Sequence, residues 1–504
     1  MPILTPARRT SMGLLRFRVY ERDRLGDDGL GRIYVAGMED IPWSTTASWQ
    51  DDLLVVRRSV SDSGNVFVPW NVQGHGRQML ASTTLMEREK PYTLEVELAR
   101  GLIQRLRSRL FIWEWLGLES TPELQEQLRQ ATISFARAAT NQHDLARCAN
   151  AANGAIAAAL SVSNLLVENY TEQSLAKRQR QTPSSTLLGV SLGPETPPVE
   201  VRRQFVDASN IVQLPIGWRS IESEEGKRDF KATDEQLGWC QKAGLKVAAG
   251  PLLRLDDSGI PLWMYVWEGE DYEQLSRMMM DHVRAVVSRY AGRVHLWHVA
   301  SRVNTGRLLS LDEEQRLNLV AQAVQTVKQL DPRTPTVVSF DQPWGEYMAG
   351  TKEELAPLHY ADALVRADLG VSGFGLEINS GFWPHGSVRR PSFEYGRLID
   401  QWSLLGVPLM MMLSTAHNND PDNKATAKTN IEPAEAKHLK DAQLTWAKQI
   451  VPLLLSRPTV QVILWNQLSD ALTHEFPNAG LFDVFGQPKP TLAYLRHLRK
   501  TCLV

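Results

Sequence analysis

Four acidic residues, Asp256, Asp341, Glu377 and Asp470, fall at or just beyond the ends of short apolar runs in the second half of a 504-residue chain. They come from segments far apart in sequence, so they meet only if the fold gathers those ends at one rim. A pair gathered in this way does general acid and base chemistry, one side chain protonating a leaving oxygen while the other activates water or attacks. Each has a plainer reading as a solvated loop acid or a partner for Arg254 or Arg302. The second signal is tryptophan, 15 residues in all. Indole faces stack on flat rings, sugars included, although Trp is also a common core residue. Trp263, Trp267, Trp344, Trp383 and Trp465 fall on expected loops or strand ends, and with Trp218 and Asn379 they are the candidate ligand contacts. His295 and His298, three apart on one expected strand, face opposite ways and do not share a metal. No metal and no other cofactor is expected.

The elements that must position these residues follow from the hydrophobic pattern. Apolar runs at 187–192, 211–216, 246–253, 294–300, 336–340, 373–378, 408–413 and 460–465 are mostly separated by amphipathic helical stretches. Eight strand–helix repeats predict a (β/α)8 barrel over 186–504, with its chemistry at the C-terminal strand ends. No glycine-rich dinucleotide fingerprint follows the first run. Residues 14–98 read as short strands at 14–20, 32–37, 53–60, 65–70 and 92–98, with a hairpin turn at Ser61-Asp62-Ser63-Gly64. Residues 99–181 carry helical spacing, with Thr121 and Pro122 as N-cap and first residue of one helix. The expected fold class is therefore multidomain: a C-terminal TIM (β/α)8 barrel preceded by a small β-sandwich-like module (1–98) and a long-helix spacer (99–181). Residues 177–185 read as a linker.

Composition excludes several classes. With 55 Lys plus Arg against 57 Asp plus Glu the formal charge is −2, which gives no sequence-wide field for a phosphate backbone, so no nucleic-acid partner is expected. Three cysteines, Cys148, Cys240 and Cys502, form no disulfide framework and have no zinc spacing. The basic start lacks an apolar h-region, and the longest apolar helical stretch, 154–167, falls short of a membrane span. A cytoplasmic location with no membrane span is expected, with unconventional export left open.

The barrel region resembles glycoside hydrolase family 10, the endo-1,4-β-xylanase family. The likeness is carried by Trp218, Glu222, Gly226, Phe230 and Asp234, and by Arg289-Tyr290-Ala291-Gly292-Arg293-Val294 with Trp297. It continues through Gly373-Phe374-Gly375-Leu376 and Trp465 with Asp470, and ends on Leu481-Phe482-Asp483, Gln487-Pro488-Lys489-Pro490 and Tyr494. It covers about residues 186–504. The resemblance implies two glutamates about 5.5 Å apart, an acid/base on the fourth strand and a nucleophile on the seventh. The first place is occupied by Arg302, with Ser301 before it, and the second falls on Leu413. A guanidinium with a pKa above about 12 donates no proton at neutral pH, and an aliphatic side chain forms no glycosyl ester. No Asp or Glu lies within 294–303 or 407–416, so a shift of a residue or two restores neither carboxylate.

The sugar-binding positions depart from the family as well. The second-strand motif reads Gln213-Leu214-Pro215-Ile216-Gly217-Trp218, the third reads Gly250 to Asp256 without its histidines, and the sixth-strand histidine reads Asn379. Three readings follow. The barrel is a silent carbohydrate-binding or assembly module; or it is an active hydrolase on a plant- or algal-type polysaccharide using relocated carboxylates, Glu377, Asp341 and Asp470. In the third reading it is a structural protein that forms a homo-oligomer through its long helices.

Overall fold

The computed structural model describes residues 13–181, 185–269, 271–429 and 441–503. They divide into two compact units.

The first unit runs to Tyr170 and also takes in Trp344–Glu354 and Val388–Tyr395. It holds β1 (Gly13–Arg18), β2 (Tyr34–Ala36), β3 (Pro42–Trp43), β4 (Thr45–Gln50), β5 (Leu53–Arg58), β6 (Gly64–Val72), β7 (Gly76–Leu85) and β8 (Tyr92–Thr93). These form two four-stranded sheets, ordered β4-β5-β1-β8 and β3-β2-β6-β7. The helices α1 (Leu94–Trp115), α2 (Pro122–Thr140) and α3 (Leu145–Gln181) follow, α3 belonging to this unit as far as Tyr170. The strands and helices therefore share one unit rather than forming a module and a separate spacer. Gly101 of α1 packs so closely on β7 that a Cβ there would lie 1.9 Å from the Ala81 carbonyl oxygen.

Two local expectations change. Residues 94–98, which alternate like a strand, are the first turns of α1, and Leu94, Val96, Leu98 and also Glu95 and Glu97 are buried. Glu95 Oε1 accepts the backbone N–H groups of Tyr20 (2.7 Å) and Glu21 (3.2 Å), a use of a buried carboxylate that alternation does not reveal. The turn at 61–64 joins β5 to β6, which lie in different sheets, so it is not a hairpin. Thr121 does cap α2, its side chain accepting from the Leu124 N–H. The helix α3 is longer than the apolar stretch within it: Leu145–Arg178 is long and apolar enough, by length and composition alone, to cross a membrane, and half of its most apolar window is buried.

The second unit is the barrel. Its eight parallel strands are β9 (Leu187–Ser191), β10 (Ile211–Leu214), β11 (Lys246–Ala249), β13 (Leu296–Ser301), β14 (Thr336–Asp341), β15 (Gly373–Ser380), β17 (Leu409–Thr415) and β19 (Val460–Trp465). Pairing of β19 with β9 closes the ring. Three short strands, β12 (Leu253–Arg254), β16 (Phe382–Trp383) and β18 (Lys428–Thr429), decorate it. Alternation along each strand sends every second side chain inward. Ile211, Ala248, Leu296, Val337, Met410, Met412, Val462 and Leu464 fill the interior, with Leu187 packed against them. On β15 the inward places Gly373 and Gly375 are empty of side chain, and a Cβ on Gly375 would meet Ser339 Cβ at 2.6 Å. Toward the C-terminal rim the same inward rows turn polar, and the site lies there.

Replacing Gly101 by Ala tests the helix–sheet seam. Helix propensity favours Ala by about 1 kcal/mol, but overlap with a backbone carbonyl costs more than a flexible side chain would. We expect a net loss of about 2 kcal/mol in the denaturant midpoint analysis; a variant as stable as the wild type contradicts the packing.

Candidate functional site

The rim is organised around Arg302, which follows β13 with a left-handed backbone (φ 56°) and is 3% exposed. Its Nη1 donates to Asp256 Oδ2 at 2.7 Å, its Nη2 to Glu475 Oε1, and its Nε lies 3.8 Å from Glu377 Oε2. Arg254 closes the figure, with Nε donating to Asp256 Oδ2 (2.9 Å) and Nη2 to Glu475 Oε2 (2.8 Å). Asp256 and Glu475 come from the loops after the third and eighth barrel strands, so two guanidiniums tie these loops to the fourth strand. Burial alone would raise Glu475, but Arg302 and Arg254 outweigh it and hold the carboxyl down at about 2. Asp256 is likewise held below the ordinary carboxylate range against burial.

Glu377 behaves in the opposite way. Burial pushes its carboxyl above the usual range; Arg302 offsets this only in part, and Asp341 adds to the rise. Its Oε1 accepts from Ser339 Oγ at 2.8 Å. Ser339 Oγ in turn lies 2.9 Å from His298 Nε2, and His298 Nδ1 lies 2.9 Å from Gln213 Nε2. A consistent direction runs from the Gln213 amide through an Nε2–H tautomer of His298 and the Ser339 hydroxyl to the carboxylate. Burial pulls His298 down to about 3, so the imidazole in this row is neutral. A cavity of about 710 Å³ opens above these residues, lined by Gln213, His298, Arg254, Arg302, Glu377 and Asn466 among others. The segment 192–201 and the loop 467–486 form its walls, including Phe485, which is 84% exposed.

Residues 209–307 match the sequence profile of Glycosyl hydrolase family 10. The barrel is related to that family. Among solved structures the chain is similar to native xylanase 10B from Thermotoga maritima, at 14% identity and a TM-score of 0.48, covering 66% of this chain and 97% of that one. It is also similar to xylanase 10B from Thermotoga petrophila RKU-1 in complex with xylobiose, at 15% identity and a TM-score of 0.48, with coverage of 65% and 96%. A third is the family 10 protein from Paenibacillus barcinonensis, at 18% identity and a TM-score of 0.47, with coverage of 66% and 97%.

The residues that carry the family 10 likeness hold the scaffold. Glu222 accepts from Trp218 Nε1 and Arg228 Nε, both 2.9 Å, and from the Gly226 N–H at 2.9 Å. Asp234 accepts from Tyr290 OH at 3.0 Å and pairs with Arg289. Trp297 Nε1 donates to Asp331 Oδ2 at 3.0 Å. Trp465 is 1% exposed and donates to the Ala479 carbonyl at 2.8 Å. Asp470 is a buried ion-pair partner of Lys489 (2.5 Å) and accepts from the Gly480 N–H, so it is not a free mouth acid.

Several expected site residues are placed elsewhere. Leu413 is buried but outward: Met410 and Met412 belong to the barrel-filling cluster, so alternation puts Met411 and Leu413 on the other face. The inward residues nearest the family's nucleophile position are Met412 and Ser414, and neither is a carboxylate. None of the six candidate tryptophans lines the cavity. Trp218 is stacked on His282 with centroids 4.9 Å apart, and Trp263 donates to the Glu222 carbonyl (2.9 Å). Trp344 belongs to the first unit, against Tyr395. Trp383 is half exposed on β16. Trp267 is half-buried in a short 3-10 helix. Asn379 spends its amide internally, accepting from Ser414 Oγ (2.7 Å) and Asn466 Nδ2 (2.8 Å) and donating to the His385 carbonyl (3.0 Å). Asp341 is fully buried and held by His385 Nδ1 (3.0 Å) and the Gln342 N–H (2.8 Å). Of the expected carboxylates, only Glu377 lines the cavity. Glu475, Ser339 and Asn466 were not foreseen, and nothing in their local spacing marks them.

Replacing Arg302 by Leu leaves two buried carboxylates short of a cation, for an expected loss of about 3 kcal/mol near neutral pH. Because the folded pKa of Glu475 is depressed, the stabilisation is complete above its unfolded value near 4.3 and disappears as pH falls toward 2. The gap between wild type and variant in urea denaturation is therefore expected to be widest at about pH 6–8 and to narrow below about pH 4. A gap that is constant or grows on acidification contradicts the network.

Proposed function

We propose that the barrel binds a saccharide and does not hydrolyse it. The observation that carries this reading is the pairing of Arg302 with Asp256 and Glu475 at the end of the fourth barrel strand, where the family 10 resemblance would put the acid/base. A retaining hydrolase needs a proton donor and a free carboxylate nucleophile, and an inverting one a donor and a basic carboxylate. Glu377, with its raised pKa and its contact with the cavity, suits the first role. For the second role the strand-end carboxylates are poorly placed, and the other two acids lining the cavity, Glu195 and Asp229, are exposed residues of its outer wall. A carboxylate held at about 2 is a poor base at neutral pH, and Asp341 is committed to His385 and the backbone.

Support for a saccharide comes from the cavity. Its volume suits a small-molecule ligand. Amide, carboxyl and guanidinium groups at the strand ends meet hydroxyls, and the exposed Phe485 ring offers an apolar face to a sugar ring. Asp483 Oδ1 accepts the backbone N–H groups of Phe485 (2.9 Å) and Gln487 (2.8 Å) and so fixes the turn that presents this ring.

Isothermal calorimetry with xylo-oligosaccharides is expected to give a Kd between about 1 μM and 1 mM. Phe485→Ala is expected to weaken it about 3- to 10-fold with the fold intact. No heat at ligand concentrations up to about 10 mM contradicts a saccharide of this class.

A further inference from the structure

The cavity at the barrel mouth has two chemically different ends. Its floor, at the strand ends, is polar and carries Gln213, His298, Glu377 and Asn466 beside the two guanidiniums. Its walls are the loops that rise beyond the first strand, which ends at Ser191, and the eighth, which ends at Trp465. The first-strand segment brings Pro194, Pro197, Pro198 and Val201 to the cavity. Three prolines in five residues have no N–H to donate to a hydroxyl oxygen and present ring carbons instead. The eighth-strand loop contributes Leu472, 41% exposed, and Val484, 43% exposed. The two walls touch: a Cβ on Gly193 would lie 3.8 Å from Leu472 Cδ1, and one on Gly486 would lie 3.9 Å from Val201 Cγ2. Leu472 and Val484 therefore belong to one apolar lip with the proline wall rather than being scattered surface residues.

We infer that the ligand is a glycoside with an apolar aglycone, its sugar on the polar floor and its aglycone between the proline wall and Leu472 and Val484. This rests on the saccharide reading of the floor and goes beyond it by naming the other half of the ligand. Three observations select that occupant. The cavity, about 710 Å³, has room for more than one sugar ring and falls in the range of sites for larger small molecules. A second observation separates an aglycone from further sugar rings. Those rings would need hydroxyl partners and flat aromatic faces, yet among the described lining residues Phe485 is the one exposed aromatic ring, and prolines and branched aliphatic side chains make up much of the rest of the lip. The third is charge. Glu195 and Asp229 stand exposed on the outer wall and disfavour an anionic group there, while the aliphatic lip gives a polar one nothing to bond.

Calorimetry on the full chain with methyl β-xyloside, octyl β-xyloside below its micelle threshold and 1-octanol tests this. Each methylene taken out of water is worth about a fourfold gain in affinity. With about three buried, the octyl glycoside is expected to bind at least about 30-fold more tightly than the methyl glycoside. 1-Octanol, which lacks the sugar, is expected to bind at least about 10-fold more weakly than the octyl glycoside. Val484→Asn is expected to cut the octyl-to-methyl ratio about 3- to 10-fold, with an unchanged unfolding midpoint because the side chain is exposed. An octyl-to-methyl ratio near one, in a protein that binds xylo-oligosaccharide, overturns this inference and leaves the saccharide reading standing. Octanol as tight as the octyl glycoside overturns both. A ratio that neither Val484→Asn nor Leu472→Asn lowers puts the alkyl chain away from the lip and overturns the inference as well.

Discussion

Everything at the barrel mouth depends on two guanidiniums neutralising two buried carboxylates. Asp256 or Glu475 alone in that position would cost several kcal/mol of desolvation, and each is tolerated because Arg302 and Arg254 bond both. The left-handed backbone of Arg302 costs on the order of 1–2 kcal/mol, less than the roughly 3–5 kcal/mol of a broken buried pair, so the network holds the strain in place. The same bonds that order the third- and eighth-strand loops hold their two carboxyls below the ordinary carboxylate range.

The barrel interior sets the rest. Its lower layers are apolar and close-packed around Met410, Met412 and Leu464, and polar side chains take the inward places only toward the C-terminal rim. On the fifth and sixth strands those places hold Ser339, Asp341, Glu377 and Asn379; on the seventh the inward residue above Met412 is Ser414, whose hydroxyl is committed to Asn379. The hydrogen-bond row from Gln213 to Glu377 crosses four strands and fixes one carboxyl in a dry setting. Burial pushes that carboxyl above the usual carboxylate range, and Arg302 offsets the rise only in part.

The eight barrel strands were legible because each is a short apolar run between amphipathic helices, and their observed bounds lie within a few residues of those runs. The first unit was harder to read. Thr45–Gln50, with almost no aliphatic residue, pairs antiparallel along β5, and 94–98 has a two-residue alternation that also fits a helix buried on all sides. At the site, sequence correctly exposed the absence of glutamates on the fourth and seventh strands, because absence is independent of register. Leu413, on which the resemblance puts the nucleophile's place, faces away from the barrel interior, and in a strand one residue is the difference between inside and outside. Tryptophan count was a poor guide to position: Trp218, Trp297 and Trp465 are each buried with the indole N–H satisfied by a scaffold acceptor. Glu475 was invisible because its role is set by a loop closing over residues more than 170 positions away.

The most direct measurement is turnover. Purified full-length protein at high concentration, incubated with xylan and with an aryl β-xyloside across about pH 4 to 9, should release no more reducing sugar or phenol than the buffer does. Release that is abolished by Glu377→Gln, in a variant that still binds xylo-oligosaccharide, would contradict the account by showing that the mouth retains a working pair of carboxylates.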